Sequence, residues 1–173
     1  YSSFNSTANG PLSVVIGSSS SNANGTDTLV MNSTNSNANG NFRTVIGSTG
    51  IEYTVGSSAT IIGSASSTTG SYDENHNPVG GDKSTIIGSN NSHAIGNSNT
   101  IIGGDGVITS NYHATVAGSS NVMATGDHSV IVGSTGRTSD PSSASYAGNS
   151  RTTAATGTHS GIYNSNDVNV AGN

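Results

Sequence analysis

The sequence predicts an all-β chain, one parallel β-solenoid of about ten coils with two short strands per coil. Three observations predict it: a 15-residue period, an apolar pair at the same place in each period, and a composition too poor in apolar residues for an ordinary core. The period is read from a marker, two apolar residues followed by Gly or Asn. It falls at Gly17, Asn32, Gly47, Gly63, Gly88, Gly103, Gly118, Gly133, Gly148 and Asn164, with spacings of 15, 15, 16, 25, 15, 15, 15, 15 and 16. A second Gly, at 25, 40, 56, 81, 96, 126 and 157, stands seven residues before the next marker and divides each unit into half-turns of 8 and 7 residues.

Leu, Ile, Val and Phe together make 30 of the 173 residues, below the usual floor for a globular domain. Disorder is not the consequence, because disorder by low hydrophobicity goes with high charge, and this chain is 8% charged with a net charge of −5. Its few apolar residues are phased. A coil one side chain deep needs few of them, and needs many Gly, Ser, Asn and Thr for its corners. With no Cys, disulfides and Cys-ligated zinc or iron–sulfur sites are excluded. Four basic residues, Arg43, Lys83, Arg137 and Arg151, are too few and too dispersed to neutralise a phosphate backbone, so no nucleic-acid partner is expected. The chain begins at Tyr1 without a signal peptide or an apolar run of membrane-spanning length, so a signal, stalk or anchor is expected to lie outside it.

Each coil is justified by two columns. Two residues before the marker stand Val15, Val30, Val45, Ile61, Ile86, Ile101, Val116, Ile131, Tyr146 and Ile162, mostly β-branched, as a packed pleated strand favours. One residue before it stand Ile16, Met31, Ile46, Ile62, Ile87, Ile102, Ala117, Val132, Ala147 and Tyr163. Neighbouring strand residues face opposite ways, so both faces are apolar and both should be covered. One column is expected to fill the coil. The other should pack on an equally long surface, which a parallel homo-oligomer supplies most simply.

The second half-turn carries small residues, as in Asn22-Ala23-Asn24-Gly25 and Asn37-Ala38-Asn39-Gly40, with Gly at the corner where φ is expected to be positive. The long interval from Gly63 to Gly88 holds ten extra residues, read as an excursion loop at about 71–81. No compositional break divides residues 1–173, so one domain is expected. Loops on rigid scaffolds are where recognition usually sits, which makes Tyr72, Asp73, Glu74 and His76 the candidate ligand-binding residues.

The unit Ala124-Thr125-Gly126-Asp127-His128-Ser129-Val130-Ile131-Val132-Gly133 resembles the head repeats of trimeric autotransporter adhesins, the YadA-like head. Ser13-Val14-Val15-Ile16-Gly17-Ser18 and Lys83-Ser84-Thr85-Ile86-Ile87-Gly88-Ser89 are similar, and the resemblance covers nearly the whole chain. It implies a left-handed β-roll, a homotrimer, and a place on the outer surface of a Gram-negative bacterium. There it would bind host extracellular matrix or cell receptors, with a membrane anchor beyond this chain. The period departs from the family's usual 14 residues, and Ile or Val stands where the family commonly has Ala. Similar repeats also look like parts of phage or virus fibres.

Other readings rest on smaller patterns. Thr44, Thr60, Thr85, Thr100 and Thr115, each followed two residues later by Ile or Ala, resemble the flat Thr array of ice-binding solenoids. Val14, Leu29 and Val130 break that column, so an apolar interface with tolerated Thr is preferred. A structural filament subunit is a further alternative, since the terminal coils show no polar cap. His113, His128 and His159 lie five before a marker, so the first two should stack; a solvated corner is the plain reading and no metal site is expected. Asp127-His128-Ser129 is not expected to be catalytic, since adjacent strand residues diverge and a triad must converge. No enzyme activity and no cofactor are expected.

Overall fold

The computed structural model describes residues 3–51, 57–75, 78–110, 112–125, 127–140, 146–148, 154–156, 161–163 and 169–171. All regular structure among these is strand, and the strands stack in parallel as a β-solenoid. The main sheet has ten strands, one per coil, from Val14–Ile16 to Gly161–Tyr163. A second wall is built from a three-stranded sheet over the first coils and a seven-stranded sheet from Thr68–Thr69 onward. The register follows the period: Val15 pairs with Val30, Val45 with Ile61, Ile86 with Ile101. Across the long interval Thr85 pairs directly with Thr60, so the ten extra residues leave the coil without disturbing it.

Burial separates the two apolar columns. Val30, Val45, Ile61, Ile86, Ile101, Val116 and Ile131 are fully buried, and Val15 packs against this core at its first coil. The alternate column points out: Ile16, Ile46 and Ile62 are half-buried, whereas Ile87, Ile102 and Val132 are exposed at 37%, 46% and 40%. The buried column drives folding, each Ile or Val contributing about 1.5–3 kcal/mol by leaving water.

Two expectations are corrected. Tyr146 pairs with Val130 and Ala147 with Ile131, so Ala147, not Tyr146, continues the core column, and Gly148 lies one place before the marker rather than on it. The coil is also three-cornered, not two. Left-handed backbone recurs at the marker, three residues after it, and five before the next one. The marker holds Gly47 (φ 58°) and Asn32 (φ 49°), the next corner Ser20, Asn35, Ser66, Asn91 and Asn121, and the third Leu12, Asp27, Phe42, Ser58, Lys83, Ser98, His113 and His128. Between the first two corners runs a thin third side, a single line of bridges from Phe4 through Ser19, Thr34, Thr49, Ala65, Asn90 and Asp105 to Ser120.

The second Gly of the unit serves two roles among the described residues: Gly81 is left-handed as expected (φ 77°), whereas Gly25 is there for another reason. Gly25 is not among the positive-φ residues, but a Cβ there would lie 1.7 Å from the Gly40 carbonyl oxygen of the next coil. At Gly25 crowding between stacked backbones, not a left-handed turn, excludes a side chain.

The abundant serine is explained by the interior. Directly after the marker, Ser33 N–H donates to Ser18 Oγ (3.2 Å), Ser48 N–H to Ser33 Oγ (3.3 Å), Ser64 N–H to Ser48 Oγ (3.3 Å) and Ser89 N–H to Ser64 Oγ (3.2 Å). Each hydroxyl in turn donates to the carbonyl two residues back, as Ser48 does to Ile46 at 2.9 Å. A corner breaks the sheet ladder, and a buried N–H without a partner is costly. Serine repairs it from the neighbouring coil.

Candidate functional site

The long interval is not an irregular loop but an antiparallel hairpin, Ser71–Tyr72 against Pro78–Val79. Both feet are tied to the next coil: Gly70 N–H donates to the Ala94 carbonyl (2.8 Å), and Gly81 N–H to the Ile95 and Gly96 carbonyls (2.9 and 3.1 Å). The approach at the second foot is so close that a Cβ on Gly80 would meet the Ile95 oxygen at 1.8 Å. The hairpin is thus a fixed projection from the rod.

Of the candidate residues on it, Asp73 and Glu74 are exposed at the tip, and Asp73 Oδ1 accepts the Asn75 N–H at 2.9 Å, which tightens the turn. Tyr72 lies in the first hairpin strand, and His76 lies outside the described residues. Among the described residues no three or more of His, Asp and Glu gather as a metal cage would require. His113 and His128 do stack as their spacing predicts, with ring centroids 4.9 Å apart and planes 13° from parallel; His159 lies outside the described residues. Ser129 is buried while its neighbour His128 is an exposed corner residue, so Asp127, His128 and Ser129 share no face.

A concavity of about 230 Å³ opens where the hairpin foot meets the third corner, between Val79, Ile95, Asn97, Ser110 and Tyr112. Val79 and Tyr112 are exposed at 44% and 55%. The corner is built by a side-chain ladder six residues before the marker: Asn41 Oδ1 accepts the Thr26 N–H (3.1 Å), Asp82 the Ser57 N–H, Asn97 the Asp82 N–H (3.1 Å) and Asp127 the Tyr112 N–H (3.0 Å). At Tyr112 the column holds a ring instead of a short polar side chain. The concavity opens at that interruption.

Sequence reasoning missed this place, as it missed Arg43. Arg43 is fully buried, its Nη1 3.4 Å from Thr69 Oγ1, in a column otherwise of Ser13, Thr28, Ala59, Ser84, Asn99, Ala114 and Ser129. Both residues carry the same signal, an oversized side chain in a column of small ones. The outer face of the main sheet pairs the half-buried Thr44, Thr60, Thr85, Thr100 and Thr115 with the outward Ile46, Ile62, Ile87, Ile102 and Ala117, all in register. Comparison of the chain with family models and with curated proteins finds no match.

Proposed function

We propose that this chain is a non-catalytic attachment module, a β-solenoid rod that assembles as a homotrimer and presents its corners and hairpin to a host matrix or cell-surface receptor, as a YadA-like adhesin head does. The observation that carries the reading is the outward column Ile16, Ile46, Ile62, Ile87, Ile102 and Val132, a continuous apolar stripe on a chain whose interior is already full. Apolar stripes of that length mark interaction surfaces. Two further copies around a common axis would cover it along the whole rod, and the three hairpins would then project together, so that weak contacts add by avidity.

The test is attachment of the intact chain to surfaces coated with matrix proteins, against a variant in which residues 71–79 are replaced by Gly-Ser. Attachment reduced by tenfold or more supports the hairpin as the recognition element, on the order expected when one of several weak contacts per chain is lost from a multivalent array. Unchanged attachment moves recognition to the coil surface, and no attachment by either chain rejects the reading.

A second reading is favoured by the in-register Thr array. If the chain is a monomer, that flat face stands in water, and ice binding becomes the better account; thermal hysteresis of the purified chain would decide it. A structural filament or phage-fibre subunit would show itself as end-to-end rods under the electron microscope.

A further inference from the structure

We propose that the concavity between the hairpin foot and Tyr112 binds one neutral pyranose unit of a glycan. The proposal gives the attachment module its ligand class and rests on that reading for its biological meaning, though its chemistry stands on the site alone. Four features converge. Tyr112 is exposed at 55% and lines the concavity, and its side chain offers a flat apolar ring with a polar hydroxyl at its end. Such a surface matches a sugar ring, whose axial C–H groups form an apolar patch beside its hydroxyls. Val79 and Ile95 extend the apolar contact.

Polar groups stand around that patch. Asn97 and Ser110 line the concavity, and an amide and a hydroxyl are the kinds of group that donate and accept as a ring of hydroxyls needs. Asn97 Oδ1 accepts the Asp82 N–H at 3.1 Å, which fixes the amide and leaves its NH₂ as the donor the site would use. At the next step of the corner column Tyr112 stands where other coils carry a short polar side chain, so a ring rather than a side-chain oxygen borders Asn97 there.

Size and charge narrow the ligand. At about 230 Å³ the concavity lies below the range of pockets that enclose drug-sized molecules, and one sugar ring fits that scale. None of its lining residues is Lys or Arg, and the carboxylates of Asp82 and Asp127 sit on the same corner column, one coil before and one coil after the gap. An acidic sugar would meet like charge there with no cation in the lining to offset it. Rigidity completes the site, because the hairpin wall is held by the contacts of Gly80 and Gly81 with Ile95 and Gly96.

The experiment is an amide-shift NMR titration of the intact chain with free galactose, mannose, N-acetylglucosamine and N-acetylneuraminic acid. The expected result is saturable shifts of the Asn97 and Ser110 amides with at least one neutral sugar and none with N-acetylneuraminic acid. Tyr112→Ala should weaken that binding roughly tenfold, the effect of losing about 1.4 kcal/mol of ring contact, whereas Tyr112→Phe should stay within about threefold. Because Tyr112 is an exposed corner residue, both variants should keep the strand signals of the wild type. Absence of neutral-sugar shifts at this corner, preference for the acidic sugar, or indifference to Tyr112→Ala would overturn the proposal. Attachment to matrix-coated surfaces separates the two readings. A chain that attaches but binds no sugar loses the site and keeps the attachment role, and one that binds sugar but never attaches does the reverse.

Discussion

At Ser48 one hydroxyl closes two gaps, accepting the Ser64 N–H and donating to the Ile46 carbonyl, inside a corner that water does not reach. Ser48→Ala should therefore strand a buried N–H and cost about 1–3 kcal/mol, while an exposed serine changed to alanine should cost a few tenths. Amide exchange read at the coils beginning with Gly47 and Gly63 checks this, and protection equal to wild type would refute the ladder's role. Phe42 makes the opposite case. It is 57% exposed, yet holds φ at 56°, a conformation that costs an L side chain roughly 1–2 kcal/mol. Asn tolerates this backbone, as Asn32, Asn35 and Asn91 do on other corners. Phe42→Asn is thus expected to raise stability by up to about 1 kcal/mol, read as a later midpoint in urea.

At the scale of the strand, one residue step decides between core and surface. Ile101 is fully buried and Ile102 is 46% exposed, although both are isoleucine in one strand, Thr100–Ile102. Ile101→Ala should cost about 2–5 kcal/mol and open the two neighbouring coils to exchange, whereas Ile102→Ala should cost less than about 1 kcal/mol in the isolated chain. Equal losses would mean that the outward column is buried even in one chain. This alternation was legible in advance, because a period of two on top of a period of 15 fixes which residues share a face. The register slip at Tyr146 was not, since Tyr-Ala-Gly offers two apolar residues before Gly wherever the strand is set, and only pairing with Val130 resolves it. The hairpin's place was legible from its ten extra residues, but its antiparallel pairing was not, because Tyr72 and Val79 are held by their turn and by feet on Ala94 and Ile95, contacts that no periodicity encodes. The three corners were hidden for a similar reason: left-handed backbone falls on Leu12, Phe42 and His113 as well as on Gly, so residue type does not announce it. Tyr112 and Arg43 were missed because the repeat was read from its apolar pair, while their departure lies in the corner columns.

For the molecule as a whole, the question is what covers the outward stripe. Among the described residues the interior column from Val15 to Ile131 is filled by the chain's own side chains, so on the proposed reading assembly would be a second event, governed by the outward stripe. That separation makes the trimer testable without ambiguity. Ile87 and Ile102 are adjacent on neighbouring strands, exposed at 37% and 46%, and the double variant Ile87→Lys, Ile102→Lys would place like charges side by side on the proposed interface. In a trimer, six ammonium groups would face one another in a dry seam, a cost of several kcal/mol that the remaining apolar contacts would not offset. The expected outcome is a native mass by multi-angle light scattering that falls from three times 17.0 kDa to 17.0 kDa, with the strand signal unchanged. A wild-type chain already at the monomer mass would remove the trimer at once, leave the Thr and Ile face in water, and make thermal hysteresis the next measurement. A trimer unaffected by the double substitution would instead place the interface on the second wall of the solenoid and leave the stripe for an external ligand.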